Sequence, residues 1–309
     1  MKLDVIIPTY KPDRKFMELI DKLGNQTIPV NKIIVINTEE KYFDNLVIGN
    51  SFLANHSKLD IHHISLWEFD HGNTRNLGVS KSDADIIVLM TQDAVPQSDT
   101  LLEELIKPLS DETVAVAYAR QLPNEEATIT EVITREFNYP DKSIIKGKED
   151  IPRLGIKTYF CSNVCAAYNR SVFEKLGGFI RHTIFNEDMI YAAEAVQTGY
   201  RIAYAANAKV IHSHNYTCMQ QFRRNFDLGV SQADHPEIFE GVPSESEGTK
   251  MVKSTISRLK QEGCSREILP FIMMCVYKYM GYRKGKHYQK LPMKKIMKYT
   301  MNPRYWKKK

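Results

Sequence analysis

Short apolar runs alternate with amphipathic segments in the first part of the chain. Residues 3–8 and 32–37 are nearly continuous apolar runs, and between them the segment 12–24 has apolar residues at spacings of three and four. Continuous apolar runs are typical of strands buried on both faces of a parallel sheet, and the spacing of three and four is typical of an amphipathic helix. Strand, helix and strand together form a βαβ unit. The pattern therefore predicts an α/β fold with a doubly wound sheet.

Similar patterns continue to about residue 218. They predict a helix at 98–109 that Ser98 caps, a strand at 114–119, a helix at 187–198 and a strand at 202–212. Between them lies a polar connection from about 122 to 153, and a connection of this length inside a compact domain is usually functional or mobile. Beyond Met219 the pattern becomes helical and increasingly basic. We therefore predict an α/β domain at 1–218 and a helical, basic extension at 219–309.

Positive charge is concentrated at the carboxyl end. Residues 283–309 contain eleven Lys and Arg and no Asp or Glu, which leaves 31 basic and 37 acidic side chains in residues 1–282, a net charge of −6. Aromatic residues are interleaved with this charge, a combination that suits an anionic membrane surface. A solvated basic face, or a helix packed on the domain, is equally compatible with it. The apolar run at 268–277 is shorter than the roughly 20 residues that a spanning helix needs.

The cysteines and the amino terminus indicate the compartment. Five cysteines form an odd set without a CxxC pair, which resembles neither a disulfide framework nor a zinc site, and Cys161 and Cys165 lie in an apolar stretch typical of a core. The first residues carry an acid, Asp4, within the apolar run and lack a cleavage site for a secretory signal. We expect a cytoplasmic protein.

An apolar run at 85–90 predicts a further strand, and polar residues follow three of the predicted strands, those at 3–8, 32–37 and 85–90. These polar residues are Pro8-Thr9-Tyr10, Asn37-Thr38-Glu39 and Thr91-Gln92-Asp93. Each alone is compatible with a turn, but ligands of open α/β sheets bind beyond the carboxyl ends of the strands, so three such ends favour a cleft. Asp93 is well placed to hold a hard divalent cation that also contacts substrate phosphates.

A second group of residues could complete such a cleft at the start of a helix. Residues 72–76, Gly-Asn-Thr-Arg-Asn, combine an arginine with the expected free amides of a helix start, which suits a diphosphate. The chain contains neither a P-loop nor a dinucleotide fingerprint.

Two further groups of residues are compatible with either a structural role or a role in catalysis or metal binding. In Asn186-Glu187-Asp188, the asparagine can cap a helix while one of the acids acts as a general base. His212 and His214 alternate at a strand end and therefore share a face, where they are either satisfied polar groups or metal ligands.

In this order and spacing, the motifs of residues 3–218 resemble those of the family 2 glycosyltransferases, and among them the bacterial rhamnosyltransferases. The resemblance implies a GT-A fold, with a mixed, mainly parallel sheet flanked by helices. It also implies a nucleotide-sugar donor, a divalent metal (Mg²⁺ or Mn²⁺) and inversion at the anomeric carbon. It further implies a nucleotide-sugar half at about 1–96 and an acceptor half at about 97–218.

Carried over by position, the resemblance assigns a role to individual residues. Asp188 would be the catalytic base of the ED motif, and Asp93 the metal-binding aspartate of the DxD motif, with His214 as a second ligand and His212 a weaker one. The donor would be bordered by Pro8, Thr9, Tyr10, Glu39, Arg75, Asn76, Gln92 and Asp93. Two departures from the family pattern stand out: Thr91 replaces the first aspartate of DxD, and Asn37-Thr38-Glu39 replaces an Asp-Asp pair.

The Thr-Gln-Asp-Ala sequence at 91–94 resembles the rhamnosyltransferase branch, so we expect transfer of L-rhamnose from dTDP-L-rhamnose. The expected acceptor is a lipid-linked saccharide of a cell-wall or capsular polysaccharide, reached from the inner face of the cell membrane. The alternatives are a UDP-hexose donor, a non-catalytic scaffold, or nucleic-acid binding through the tail, which the net charge of −6 in the rest of the chain disfavours. A homo-oligomer is compatible with the sequence.

Overall fold

The computed structural model describes residues 1–49, 51–242 and 245–307. Within these ranges one mixed sheet contains nine strands. They are β1 Leu3–Tyr10, β2 Lys32–Thr38, β3 Leu59–Ile64, β4 Ile86–Met90, β5 Val95–Pro96, β6 Val114–Leu122, β7 Ile144–Lys146, β8 Cys165–Asn169 and β9 Arg201–Ile211.

The order of the strands is β3-β2-β1-β4-β8-β6-β9-β5, with β7 paired to β9. The first four strands are parallel, β8 runs antiparallel to both β4 and β6, and β6 pairs in parallel with β9. In the register of β1 with β2, Thr9 lies opposite Asn37 and Tyr10 opposite Thr38, so the polar ends of the two strands are aligned. The predicted doubly wound, mixed sheet is confirmed.

Helices cover the sheet and form the carboxyl-terminal part of the chain. They are α1 Arg14–Gly24, α2 Glu40–Val47, α3 Phe52–Asn55, α4 His71–Ser80, α5 Leu101–Ile106, α6 Ile129–Asn138, α7 Ile151–Leu154, α8 Arg170–Lys175, α9 Glu187–Gln197, α10 Cys218–Asp234, α11 Pro236–Phe239, α12 Glu245–Gln261, α13 Ile268–Lys286 and α14 Met293–Tyr299.

The helix predicted at 98–109 is shorter than expected. The α-helix covers Leu101–Ile106 and continues as a 3₁₀ turn through Pro108, whose ring nitrogen cannot donate a helical hydrogen bond. Ser98 is not the cap, because Thr100 occupies that position and the Ser98 hydroxyl lies 3.0 Å from the Thr100 hydroxyl.

Apolar side chains fill both faces of the sheet. One face packs against α1 and α5, and the other contains an aromatic cluster of Tyr168, Phe173, Phe179 and Tyr191 beside α9. Cys161 and Cys165 are buried, as expected for core residues. The strands are therefore buried on both sides, which explains their continuous apolar sequences.

The polar connection predicted at 122–153 contains regular secondary structure, and Glu131 and Arg135 within it line a cleft. This segment forms α6, the short strand β7 and α7. Ile133 of α6 is buried against Leu259 of α12 and Phe271 of α13, residues more than a hundred positions away in the sequence. The apolar residues of α6 do have helical spacing, but the sequence does not show what covers them, because the packing partners come from the carboxyl-terminal helices.

The carboxyl-terminal helices pack tightly on one another. A Cβ atom at Gly281 of α13 would lie 2.1 Å from the carbonyl oxygen of Phe222 in α10, and one at Gly285 would lie 2.1 Å from that of Phe226. Glycine at both positions allows the two backbones to approach. None of the helices in the described ranges has the length and apolarity needed to cross a membrane.

The aromatic residues of the basic tail face the protein. Tyr305 and Trp306 are buried with Ile296, Phe226 and Val230 in a cluster of their own. Nearby, the Thr300 hydroxyl and the Met301 N–H donate to the buried Asp227 carboxylate at 2.6 and 2.9 Å. Of the three interpretations of the tail, packing on the protein is the one that applies to Tyr305 and Trp306.

Candidate active site

A cleft of about 840 Å³ opens at the carboxyl ends of β4, β6 and β9. Its wall includes polar side chains of α6 and of the beginning of α9, residues of α4 and of the segment 160–164, and residues of α10 and α13. The lining residues include Arg75, Thr91, Gln121, Glu131, Arg135, Asn163, Phe185, Glu187, Asp188, His212, His214, Tyr216, Arg224 and Lys278. The cleft thus brings together residues that are up to about two hundred positions apart in the chain.

Asp93 and the two histidines lie together beside this cleft. The Asp93 carboxylate is 3.2 Å from Nε2 of His214 and 3.6 Å from Nε2 of His212, and one ligand atom from each residue lies within 4.8 Å of the others. A carboxylate oxygen and two imidazole nitrogens are common metal ligands. The predicted set of metal ligands is therefore brought together, and it includes His212, the weaker candidate, as well as His214.

Gln121, which the sequence analysis did not single out, orients His212. Its side-chain oxygen lies 3.1 Å from Nδ1 of His212 and accepts a hydrogen bond from Arg135 at 2.6 Å. An acceptor at Nδ1 favours the tautomer with the proton on Nδ1, which leaves the lone pair of Nε2 directed at Asp93. Burial, more than the opposing charge of Asp93, lowers the pKa of His212 to about 3, so the ring is neutral, as a ligand must be.

Thr91 occupies the place of the missing carboxylate and adds no charge. It lines the cleft, and its buried hydroxyl has no hydrogen-bond partner among the described residues. The protein's contribution at this site is one carboxylate and two imidazoles.

Asp188 lies in the first turn of α9 and is held by two backbone amides. The Asn163 N–H donates to one carboxylate oxygen at 3.0 Å and the Met189 N–H to the other at 2.8 Å. Burial, with the negative charge of Glu187 in second place, raises the pKa of Asp188 to about 7. A carboxyl group with a pKa near neutrality suits a general base.

The neighbouring acid, Glu187, is occupied by partners. It forms a buried ion pair with Arg75 at 3.2 Å and accepts a hydrogen bond from the Asn163 side chain at 3.1 Å. Burial alone would raise its pKa, but Arg75 and His71 outweigh burial and lower it. The two acids at the start of α9 therefore differ: Glu187 is fixed as a carboxylate, and Asp188 can exchange a proton.

Asn186 is not the side-chain cap that the sequence suggested. It holds the N-cap position with a left-handed backbone (φ 66°), and its side chain makes no capping hydrogen bond. Instead, its amide donates to the Ser231 hydroxyl of α10 at 3.3 Å. This contact connects the beginning of α9 to the carboxyl-terminal helices.

The interpretation of the start of α4 as a site with free amides is wrong. The Asp70 carboxylate accepts from the N–H groups of Gly72 and Asn73 at 3.0 and 2.8 Å, so this helix start is already capped by an anion. Asn76 holds a backbone segment, since its side chain donates to the Phe179 carbonyl and accepts from the Phe179 N–H. Arg75 lines the cleft. The predicted contacts of Arg75 and Asn76 with the nucleotide-sugar donor stay predictions.

The residues at the ends of β1 and β2 form a separate polar edge. The Thr9 hydroxyl donates to the Asn37 side chain at 3.0 Å, and the Glu39 carboxylate accepts from the Leu66 N–H at 2.8 Å. Pro8 is half-buried beside them.

The exposed Tyr10 is connected to the strand that carries Asp93. The side chain of Gln92 accepts from the Tyr10 N–H at 2.8 Å and donates to the Tyr10 carbonyl at 3.2 Å. The Tyr10 ring packs edge to face on that of Tyr42 at 5.5 Å. Gln92 thus holds the end of β1 next to the end of β4. The predicted contacts of the residues at these strand ends with the nucleotide-sugar donor stay predictions.

Comparison with known proteins identifies the family. The model of the family described as "Glycosyl transferase family 2" matches residues 4–177, more than half of the chain. The chain belongs to this family. The family 2 fold and enzyme class expected from the resemblance are therefore confirmed: the protein is a glycosyltransferase.

Two relatives extend the similarity beyond the family model. The O-antigen chain rhamnosyltransferase RfbN of Salmonella typhimurium is 43% identical over 99% of this chain and 96% of its own length. The O-antigen chain rhamnosyltransferase WbaN of Salmonella anatum is 40% identical over 98% of this chain and 95% of its own. The similarity of this family 2 enzyme to bacterial rhamnosyltransferases thus includes its carboxyl-terminal helices.

Solved structures show the same fold at low sequence identity. The mannosyltransferase PcManGT of Pyrobaculum calidifontis, determined with GDP-Man and Mn²⁺, matches with a TM-score of 0.64 at 15% identity, over 94% of this chain and 88% of that one. Residues 1–349 of S. aureus TarS match with a TM-score of 0.54 at 13% identity, over 94% and 91% of the two chains.

Proposed function

We propose that this family 2 glycosyltransferase transfers L-rhamnose from dTDP-L-rhamnose, with inversion, onto a hydroxyl group of a lipid-linked saccharide in bacterial polysaccharide synthesis. The identity of 43% with RfbN over nearly the whole chain supports the sugar and the polysaccharide. The state of Asp188, a carboxyl group with a pKa of about 7 in a cleft beside a cluster of metal ligands, carries the mechanism.

In the proposed reaction Asp188 takes the proton of the acceptor hydroxyl. The oxygen of that hydroxyl attacks the anomeric carbon from the face opposite the diphosphate, the new C–O bond forms, and the old C–O bond breaks with its electrons on the nucleoside diphosphate. A well-placed base contributes about 10²–10⁴ to such a rate. The amides of Asn163 and Met189 hold the carboxylate in one orientation for this transfer.

Asp93, His212 and His214 would hold the divalent cation, for which we propose Mn²⁺ in preference to Mg²⁺. Two imidazoles and one carboxylate suit Mn²⁺ better, because Mg²⁺ strongly prefers oxygen ligands. When bound, the cation would supply positive charge for the departing diphosphate. With only one carboxylate in the site, we expect weak binding of the metal until the diphosphate contributes further oxygens.

The test of the reaction is a panel of nucleotide sugars. The purified enzyme is incubated with dTDP-L-rhamnose, UDP-glucose, UDP-galactose and GDP-mannose, with Mn²⁺ or Mg²⁺, and release of nucleotide is measured with and without acceptor. We expect dTDP-L-rhamnose with Mn²⁺ to give the fastest release. Selective turnover of a UDP-hexose would replace the proposed donor, and no turnover of any donor in the presence of acceptor extracts would contradict the proposed reaction.

We further propose that α13 docks the enzyme on an anionic membrane. Its face away from α10 exposes Leu269, Ile272, Met273, Val276, Tyr279 and Met280, between 38% and 69% exposed, and the helix contains no acid. A helix that is apolar on both faces needs a second apolar environment. The lysines that follow, such as Lys284, Lys294 and Lys295, are exposed and suit anionic headgroups.

A vesicle experiment tests this docking. The wild type should sediment with vesicles that contain phosphatidylglycerol and much less with phosphatidylcholine alone, and the double substitution Met273→Asp with Val276→Asp should abolish sedimentation. As a control, Leu53→Asp changes an exposed apolar residue far from α13 and should have no effect. The docking is contradicted if the wild type stays in the supernatant, or if light scattering shows that the same double substitution dissociates a homo-oligomer instead.

A further inference from the structure

Two positively charged side chains of the carboxyl-terminal helices line the cleft without a charged partner. They are Arg224 of α10 and Lys278 of α13. In the described parts of the chain neither side chain has a hydrogen bond or an ion pair. The guanidinium of Arg224 instead stacks over the ring of Phe185 at 4.7 Å.

The other two arginines that line the cleft, Arg75 and Arg135, are each neutralised by an acidic side chain. Arg75 forms its ion pair with Glu187 at 3.2 Å, and Arg135 forms one with Glu131 at 3.3 Å. Arg224 and Lys278 therefore add net positive charge to this wall of the cleft. Lys278 is half-buried, and burial, with Arg224 and Arg135 as additional unfavourable neighbours, lowers its pKa. A half-buried ammonium group without an anionic partner lowers the stability of the folded protein, and a bound anion would remove this cost.

Arg224 lies between the helix start that carries Asp188 and the aromatic ring that packs on His214. Phe185, under its guanidinium, directly precedes the Asn186-Glu187-Asp188 helix start. On the other side Arg224 lies 5.9 Å from the ring of Tyr216, which is 5.1 Å from the ring of His214. A group that lies between the base and the metal ligands would therefore pass next to Arg224.

We propose that Arg224 and Lys278 form an anion subsite that binds a diphosphate in the cleft. A guanidinium offers two parallel N–H donors that match phosphate oxygens, and an ammonium supplies a compact second charge. The proposal rests on the proposed function in one respect, because the reaction brings diphosphate to the cleft. Two sources have this chemistry: the nucleotide donor, whose diphosphate leaves with the electrons of the broken C–O bond, and an acceptor joined to its lipid through phosphate.

The subsite makes the carboxyl-terminal helices part of the active site. The contact of Asn186 with Ser231 at 3.3 Å and the close approach of α10 and α13 at Gly281 would hold the two cations relative to Asp188. This gives a physical reason for similarity to the rhamnosyltransferases that continues over 99% of the chain, well past residue 177.

The first arm of the test uses inorganic pyrophosphate and needs no sugar transfer. Wild type, Lys278→Met, Arg224→Met and the charge-preserving Lys278→Arg are titrated calorimetrically with pyrophosphate and Mn²⁺. Loss of a charged hydrogen-bond donor should weaken binding roughly tenfold to hundredfold in the two methionine variants, while Lys278→Arg stays close to wild type. The control, Lys253→Met, removes an exposed charge from α12, which does not line the cleft, and should have no effect.

The second arm identifies the source of the diphosphate. If the donor supplies it, both methionine variants bind the nucleoside diphosphate more weakly, and the KM values of acceptors are unchanged. If the acceptor supplies it, nucleotide binding is unchanged, and KM rises for a diphosphate-linked acceptor but not for a phosphate-free glycoside of the same sugar.

The melting temperatures of the two methionine variants show whether they are folded. The subsite is overturned if both folded variants bind pyrophosphate with the affinity of the wild type. It is also overturned if the wild type does not bind pyrophosphate. Loss of pyrophosphate binding in the variants, together with a wild type that transfers no sugar, supports the subsite and contradicts only the proposed function.

Discussion

The side-chain oxygen of Gln121 lies 3.1 Å from Nδ1 of His212. This contact assigns the proton of the ring to Nδ1 and directs Nε2 toward Asp93, 3.6 Å away. A glutamine at the end of β6 thereby orients a proposed metal ligand that directly follows β9, 91 residues later in the chain.

Gln121→Leu should weaken Mn²⁺ binding, because His212 loses the acceptor that orients it. Loss of such an outer partner typically costs about 10–100-fold in metal affinity. Gln121→Glu is the matched variant, since it keeps an oxygen acceptor toward both His212 and Arg135. Electron paramagnetic resonance of free Mn²⁺, measured in the presence of nucleoside diphosphate, reports the affinity. Equal Mn²⁺ affinity of the leucine variant and the wild type would contradict the role of Gln121.

Asp188→Asn should remove sugar transfer and preserve binding of the donor. The amide keeps the shape of the carboxylate but cannot accept the proton of the acceptor, so kcat should fall by about 10²–10⁴. Nucleoside diphosphate affinity, measured by calorimetry, should be unchanged. Glu194→Gln on the exposed face of the same helix serves as the control. Transfer by the asparagine variant at a rate close to that of the wild type would exclude Asp188 as the base.

The rate of transfer should rise with pH through about 7. Asp188 has a pKa of about 7, and the proposed base can accept a proton only in its ionised form, so the single-turnover rate should increase as the pH passes this value and then level off. A rate that is flat between pH 5.5 and 8.5, with saturating donor and acceptor, would show that this carboxyl group does not limit the reaction.

The same pKa predicts the pH dependence of stability. The folded state holds the Asp188 proton more tightly than the unfolded state, whose pKa is near 3.9, so ionisation of this group removes stability as the pH rises from about 4 to about 7. Asp188→Asn should therefore raise the melting temperature at pH 8, and the difference from wild type should shrink toward pH 4. An equal difference at both pH values would contradict the raised pKa.

Gly281→Ala should destabilise the protein and loosen the cleft wall. The added Cβ would meet the Phe222 carbonyl oxygen at 2.1 Å, so α13 must move away from α10, at a cost of about 1–3 kcal/mol. Gly248→Ala in α12 is the control: it has no heavy atom within 4 Å of the added Cβ and should stabilise by about 0.5–1 kcal/mol. Urea unfolding measures both changes, and similar effects of the two substitutions would contradict the tight packing.

Much of the sheet and several parts of the site could be predicted from local sequence. The apolar runs at β1, β2 and β4 indicate buried strands, because they are short and rich in β-branched residues, and the placement of Asp93 just beyond the end of β4 follows from them. Asp188 is found by its position in a helix start. The helix-start amides of α4 were misjudged, because the sequence does not show that Asp70 caps them.

The residues that complete the site could not be found in this way. No local sequence motif marks these residues as part of a site. Each acquires its proposed role only through neighbours that are distant in the sequence, and they are Gln121, Asn163, Arg224 and Lys278. The same holds for α6, whose buried face is covered by α12 and α13.

The sequence by itself determined the alternating strands and helices, the polar strand ends, and the uneven distribution of charge, because hydrophobic periodicity and composition are local properties. Only the tertiary structure decided which charges are neutralised, which carboxyl group keeps a pKa near 7, and which cations stay unpaired in the cleft. Burial and the distance between charges set these properties, and both depend on the packing of segments that are far apart in the chain.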